Sequence, residues 1–237
     1  WETLPLEPVS PGVEVSSQRI NALNEIQTRP RFIVITSADA LLQKILPPDY
    51  IPHLTSTLRV GDHLERNELV KKLVEGGFSP AKSVTEIGDL CIKGGVIDLF
   101  PGTSSKPIRL ELHDDKIVRL AYFDPESQRS TDEISSIEVL PVKEYPFPAW
   151  YAENKEKIIQ LLKERGTSIG TPPREIEKVL QALHQKADYP SLELLQYIAA
   201  PPLPSLLDLI PADTEVFTVD NLRVQRGMDE FLSLAQE

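Results

Sequence analysis

Apolar and polar positions alternate through residues 88–141, and this pattern is typical of β-strands. In residues 108–113, apolar side chains alternate with three polar ones, which are Arg109, Glu111 and His113. A second alternating run over 117–122 follows Asp114-Asp115, which suit the two-residue turn of a hairpin. Such alternation buries one face of a sheet and leaves the other in water. The pattern predicts a short antiparallel sheet with a polar outer face.

The segments on either side of this sheet have the sequence pattern of an α/β domain. An apolar run at 32–36 predicts a strand between two helices, and a second at 215–219 predicts a strand before a helix over 221–236. Further helices are predicted at 151–165, 174–185, 191–198 and 203–209. We therefore predict that 1–49 and 147–237 are two parts of one α/β domain, with 50–146 inserted between them as an α+β domain.

Composition and charge exclude several classes of protein. The chain has 237 residues, a net charge of -11 and one cysteine, Cys91. A strongly acidic chain is a poor candidate for binding DNA alone, and one cysteine forms neither an internal disulfide nor a cysteine metal cage. No apolar run is long enough to cross a membrane, and nothing near Trp1 resembles a signal peptide. We expect a cytoplasmic location, no membrane partner, and a piece of a longer protein.

The chain has only weak candidates for catalytic, nucleotide-binding or metal-binding motifs. Lys93-Gly94-Gly95 has its lysine on the wrong side of the glycines for a phosphate loop and leads into a strand, so a turn or bulge is predicted. Asp220 ends an apolar strand as a magnesium ligand would, but a helix cap for 221–236 is the simpler interpretation. Cys91 and His113 lack an orienting acid. We therefore predict no catalytic, cofactor or metal site.

A charged face is the remaining candidate for function. Lys93, Arg109, His113 and Arg119 belong to adjoining predicted strands. If the leucines between them point inward, Arg109 and His113 point outward together, and arginine pairs well with a partner's carboxylate. A merely solvated face is the alternative on spacing alone.

Several motifs resemble the N-terminal region of bacterial transcription-repair coupling factors, which is homologous to the excision-nuclease subunit UvrB. The segments that carry the resemblance are WETLP, SPGVEVSSQRINAL, FIVITSADALLQKILPP, KGGVIDLFP, PIRLELHDDKIVRLAYFDPESQRS and IEVLPVKEYP. The resemblance implies a degenerate helicase-type α/β domain like UvrB domain 1, split in sequence. It also implies an inserted α+β domain like UvrB domain 2, which docks the damage scanner UvrA.

The resemblance also implies which residues bind the partner. The family's usual arginine in the glycine turn falls on Lys93, its strand arginine on Arg109, and a frequent aromatic on His113. Lysine keeps the charge but loses the planar fork, and histidine keeps a ring and adds a titratable group. RNA polymerase and DNA are expected to contact other domains of the parent, and ATP and magnesium are expected only in its translocase domains.

Two other functions remain open. A fragment of a UvrB-like, ATP-dependent excision nuclease subunit would bind nucleotide and DNA. Against it, no tyrosine precedes Tyr50, so UvrB's tyrosine-rich hairpin has no room, and its Asp-Glu pair reads Asp220-Asn221. A purely structural spacer would bind no UvrA. The sequence favours a non-catalytic adaptor that recruits UvrA to stalled transcription complexes in nucleotide excision repair.

Overall fold

The computed structural model of the protein describes residues 12–144, 147–168, 170–185 and 203–234. The chain forms two compact units. Residues 12–28 and 48–144 form the first, which we call the sheet unit. The described residues of 29–47 and 147–234 belong to the second, which we call the helical unit.

The described secondary structure runs in chain order as follows. The helices are α1 (Val13–Thr28), α2 (Ala38–Leu42), α3 (Tyr50–Leu54), α4 (Arg66–Glu75), α5 (Phe147–Ser168), α6 (Pro173–Gln185), α7 (Leu206–Leu209) and α8 (Asn221–Leu234). The strands are β1 (Ser56–Arg59), β2 (Ser79–Pro80), β3 (Asp89–Lys93), β4 (Val96–Leu99), β5 (Ile108–His113), β6 (Lys116–Phe123), β7 (Ser130–Glu133) and β8 (Ser136–Val139).

Six strands of the sheet unit form one sheet in the order β2-β3-β4-β5-β6-β7. Only the β2–β3 pair is parallel, so the prediction of an antiparallel sheet is confirmed. Asp114 and Asp115 have φ values of 48° and 58°, the left-handed region that a tight two-residue hairpin requires. The register shifts once between β5 and β6, after Glu111. Strands β1 and β8 pair antiparallel as a separate two-stranded sheet.

Helix α4 closes the main core of the sheet unit. Its N-cap residue is Glu65, whose side chain accepts hydrogen bonds from the N–H groups of Asn67 at 3.1 Å and Glu68 at 2.7 Å. Leu69 and Leu73 lie one helical turn apart and pack into the core. The other buried members of this core are Leu58, Phe78, Leu90, Ile97, Leu99, Ile108, Leu110, Ile117, Leu120, Val139 and Val142. Each buried leucine or isoleucine contributes roughly 1.5–3 kcal/mol, so this cluster dominates the stability of the unit.

Helix α1 belongs to the sheet unit, whereas the sequence placed it with the first part of the α/β domain, 1–49. Ile20 and Leu23 lie three residues apart, on one face of the helix, and both are buried. That spacing identifies the buried face of a helix, but it does not identify the core that the face joins. The other predicted boundary, between 49 and 50, lies within two residues of Pro48, where the sheet unit resumes.

The two strands predicted at 32–36 and 215–219 are absent from both described sheets. Their apolar side chains are exposed, with Ile33 at 93% and Phe217 at 83%. A strand needs a neighbour for its N–H and C=O groups, and no strand of the described residues pairs with either segment. The mixed α/β class is confirmed, but this part of the parallel layer is not formed within the described chain.

The helices of the helical unit agree with the sequence pattern. Helix α8 packs against α2, where the backbone of Gly227 approaches Ala38 and Asp39. Asp220, with φ of 59°, accepts a hydrogen bond on its side chain from the Arg223 N–H at 3.2 Å. The predicted helix cap is therefore confirmed. The helix predicted at 191–198 lies outside the described residues.

Candidate partner-binding surface

The six-stranded sheet has one apolar face and one mixed face. Ile92, Ile97, Leu110 and Leu120 form a cross-strand row on the face that joins the main core. Because side chains alternate along a strand, the neighbouring positions lie on the opposite face, which we call the second face. One row of the second face contains Cys91, Asp98, Arg109 and Ala121. The next row contains Lys93, Val96, Glu111 and Arg119. Lys93 and Arg109 therefore point to the same side of the sheet.

Loops cover the half of the second face that lies next to Cys91. Cys91, Val84 and Phe123 form a small buried cluster there. The Cys91 thiol donates to the Lys82 carbonyl at 3.3 Å. The Gln128 side-chain amide donates to the Val84 carbonyl at 3.2 Å, which joins the loop before β3 to the 124–129 loop. This arrangement leaves the row that begins at Lys93 as the open half of the second face.

Arg109 lies between the covered half and the open half, and its guanidinium is held by three hydrogen bonds. Nε donates to Asp98 Oδ1 at 2.7 Å and Nη2 donates to Asp98 Oδ2 at 2.8 Å. Nη1 donates to the Gln128 carbonyl at 3.2 Å, and the guanidinium carbon lies 4.8 Å from the centre of the Phe123 ring. The hydrogen bond to Asp98 raises the pKa of Arg109 above its usual value. The Arg109 side chain is 21% exposed and the Asp98 side chain 8%.

Arg119 is held between two carboxylates on the open half. Its Nε donates to Glu133 at 2.7 Å and its Nη1 donates to Glu111 at 2.9 Å. The hydrogen bonds to Glu133 and then to Glu111 raise the pKa of Arg119. Carboxylates thus flank this guanidinium on both sides, which leaves Lys93 as the cation at the other end of the row.

Lys93 and His113 lie at the same end of the second face. Lys93 is exposed and directly precedes the Gly94-Gly95 turn between β3 and β4, so the predicted turn is confirmed. The Gly95 carbonyl accepts a hydrogen bond from the Leu112 N–H at 2.7 Å, which places this turn beside the end of β5. His113 is 81% exposed, and its Nε2 lies 3.5 Å from Asp114 Oδ2. The structure thus brings the three predicted residues, Lys93, Arg109 and His113, to one face, with Arg109 the least exposed.

The 124–129 loop is ordered by its own polar side chains. Asp124 Oδ1 accepts hydrogen bonds from the Ser127 N–H and the Ser127 hydroxyl, both at 2.7 Å. These bonds lower the pKa of Asp124. Gln128 has a φ of 58°, and its side-chain amide also donates to the Pro125 carbonyl at 2.7 Å.

Sequence reasoning missed Asp98 and Gln128 as partners of Arg109. Asp98 lies inside the otherwise apolar sequence of β4, where a carboxylate needs a compensating cation. Arg109 is directly opposite it on β5. Pairing the two predicted strands in register would have identified the ion pair.

The described residues contain no cluster of three metal-ligating side chains. Nor does any helix among them combine the length and apolarity needed to cross a membrane.

Comparison with known proteins identifies the sheet unit. Residues 57–145 match the family model described as the UvrB interaction domain. These residues are therefore similar to a UvrB interaction domain. The match includes β2 through β8 and all of β1 except Ser56. It therefore includes both the six-stranded sheet and the face that carries Lys93, Arg109 and His113.

The relatives extend beyond the UvrB interaction domain. The chain is 30% identical to the transcription-repair-coupling factor of Haemophilus influenzae over 95% of its length, and 29% identical to that of Escherichia coli over 94%. It is also 30% identical to UvrABC system protein B of Kosmotoga olearia over 76% of its length. The chain spans 19% of each of the two coupling factors and 27% of the third relative. It therefore corresponds to about a fifth of a coupling factor.

Proposed function

We propose that this chain is a non-catalytic adaptor module of a transcription-repair coupling factor, and that its UvrB interaction domain binds UvrA. One observation carries the proposal: the region that matches the UvrB interaction domain has a sheet face that is open to solvent at Lys93 and His113. Similarity to coupling factors over most of the chain links this binding to transcription-coupled nucleotide excision repair. The module would bring UvrA to a stalled transcription complex.

Lys93, Arg109 and His113 form the proposed docking surface. Lys93 supplies an exposed charge, and His113 supplies an exposed ring at the same end of the sheet. Sheet surfaces of this kind recognise a partner through charge-assisted hydrogen bonds, which are shorter and stronger than neutral ones. A complementary surface on UvrA would carry carboxylates opposite Lys93.

The absence of catalysis by this chain is part of the proposal. Two motifs that could have served nucleotide chemistry have local structural roles: Lys93-Gly94-Gly95 forms a hairpin turn, and Asp220 caps α8. We propose that ATP, magnesium, RNA polymerase and DNA are bound by other parts of the longer protein.

A titration of the purified chain with UvrA from the same organism tests the proposal. We expect saturable binding that weakens as salt is raised, because charged groups form the surface. Lack of binding would favour a structural spacer. Tight magnesium-dependent ATP binding would instead favour a UvrB-like nuclease fragment, since UvrABC system protein B is also a relative.

A further inference from the structure

Asp98 and Arg109 connect the sheet to the loop that covers half of the second face. Arg109 bonds through two of its nitrogens to Asp98 on the neighbouring strand, and through the third to the carbonyl of Gln128 in the loop. A guanidinium has five N–H donors, so these three bonds leave two for any group outside the chain.

We propose that Asp98 is a positioning residue for the docking surface: it holds Arg109 in place, and Arg109 in turn fixes the 124–129 loop. This inference rests on the proposed function. It adds exposed residues of the loop, among them Glu126 and Arg129, to the surface formed by Lys93, Arg109 and His113.

The cost of releasing Arg109 supports a positioning role. If the guanidinium turned toward a partner, the bidentate pair would break and the carboxylate of Asp98 would be left buried without its cation. A buried charge without a partner is strongly unfavourable. The stacking of Arg109 on Phe123, itself buried, would be lost at the same time. Arg109 therefore stays with Asp98 when the partner binds.

The conformation of the loop depends on the same pair. Gln128 adopts a left-handed backbone conformation, uncommon for a residue other than glycine, and its carbonyl points to Arg109. Its side chain holds the loop to Val84 from the other side. Without Arg109, the carbonyl of Gln128 loses its donor, and the loop keeps its internal bonds and the Val84 contact. Without Asp98, the donor remains but is no longer held in position.

Hydrogen exchange of residues 124–130, measured without any partner, tests whether Asp98 and Arg109 fix the loop. We expect Asp98→Asn, a nearly isosteric change, to speed exchange of these amides by about tenfold, while the amides of Leu110 and Leu120 in the sheet remain protected. Lys178→Ala, in the helical unit, is the control: it removes an exposed ion pair and is expected to leave the loop unchanged. Unchanged loop exchange in Asp98→Asn would overturn the positioning role.

A UvrA titration of the variants tests the consequence for binding. We expect Asp98→Asn and Arg109→Ala each to raise Kd by about tenfold, and the double variant to be no weaker than Arg109→Ala, because both changes release the same loop. Wild-type affinity in Asp98→Asn combined with a large loss in Arg109→Ala would show that Arg109 acts independently of Asp98, against the positioning role. Multiplying effects in the double variant would overturn the proposal as well.

A second variant loosens the loop while leaving the ion pair in place. Gln128→Gly suits the left-handed backbone and deletes the side-chain bonds to Val84 and Pro125. We expect faster loop exchange and a higher Kd for UvrA. Faster exchange at unchanged Kd would overturn the role of the loop in binding. Failure of the wild-type chain to bind UvrA would overturn the proposed function, whereas the exchange measurement would still decide whether Asp98 fixes the loop.

Discussion

Arg19 of α1 donates to a carboxylate oxygen of Glu144 at 3.0 Å, and the Glu144 side chain is 3% exposed. This ion pair joins the first helix to the end of the sheet unit, 125 residues later in the chain. Buried carboxylates are rare unless they are paired, and the bond from Arg19 offsets part of the cost of burying Glu144. The contact explains why α1 packs with the sheet unit.

Removing Glu144 should destabilise the sheet unit. In Glu144→Ala the partly buried guanidinium of Arg19 loses its carboxylate, and we expect the free energy of unfolding to fall by about 2–3 kcal/mol. Urea unfolding followed by circular dichroism measures this. Glu175→Ala, which breaks an exposed pair within α6, should cost less than about 0.5 kcal/mol. Equal effects of the two changes would contradict the importance given to the Arg19–Glu144 pair.

Lys93→Ala should weaken UvrA binding by about 1–3 kcal/mol if the lysine forms a charge-assisted contact. Lys93 is exposed, so its removal leaves the free energy of unfolding nearly unchanged. Calorimetric titration gives the affinity. Lys163→Ala makes the same change of net charge on an exposed face of α5, and it should bind like the wild type. If both variants lose affinity equally, the effect is one of net charge and Lys93 makes no specific contact.

Asp124 should make the stability of the sheet unit depend on pH in the acid range. Its pKa is lower in the folded chain than in the unfolded chain, chiefly because of the hydrogen bond from the Ser127 N–H. The contribution is therefore present above the unfolded pKa, about 3.9, and is lost as pH falls through the lower folded pKa. We expect Asp124→Asn to show a smaller loss of stability than the wild type between pH 6 and pH 3, measured as the urea midpoint. The same loss in both proteins would contradict this assignment.

The exposed apolar segments of the helical unit should make the isolated chain bind hydrophobic dyes and self-associate. Ile33, Ile35 and Phe217 are almost fully exposed, and large exposed apolar patches are typical of surfaces that bind something or aggregate. The double change Ile33→Ser and Phe217→Ser should lower anilinonaphthalene sulfonate fluorescence and the tendency to form oligomers in sedimentation. Val84→Ser, which alters a buried position, should raise the fluorescence instead. No decrease in the double variant would show that these segments are covered in solution.

The sheet could be predicted because the residues that determine its strands and its β5–β6 turn are neighbours in the sequence. Alternation fixes which side chains of β5 and β6 face the core, and Asp114-Asp115 supply the left-handed conformations that a two-residue hairpin needs. The outward direction of Arg109 and His113 follows from the same alternation. Lys93 lies on the same surface because it alternates along β3 with Ile92, which faces the core.

The parts that could not be predicted depend on contacts between distant residues. The run at 32–36 has the composition of a buried strand, but composition does not supply a neighbouring strand to pair with. The packing of α1 depends on Glu144, and the exposure of Arg109 depends on Asp98 and Gln128. Each of these contacts is set by the three-dimensional fold, which a pattern of neighbouring residues does not specify.

The pairing of β1 with β8 places the two ends of the region that matches the UvrB interaction domain side by side. Ser56, near the start of the domain, lies opposite Val139, near its end. A segment whose two ends are adjacent can be inserted into proteins of different length without long connecting segments. That economy suits a domain whose relatives include both coupling factors and UvrABC system protein B, proteins of which this chain spans 19% and 27%.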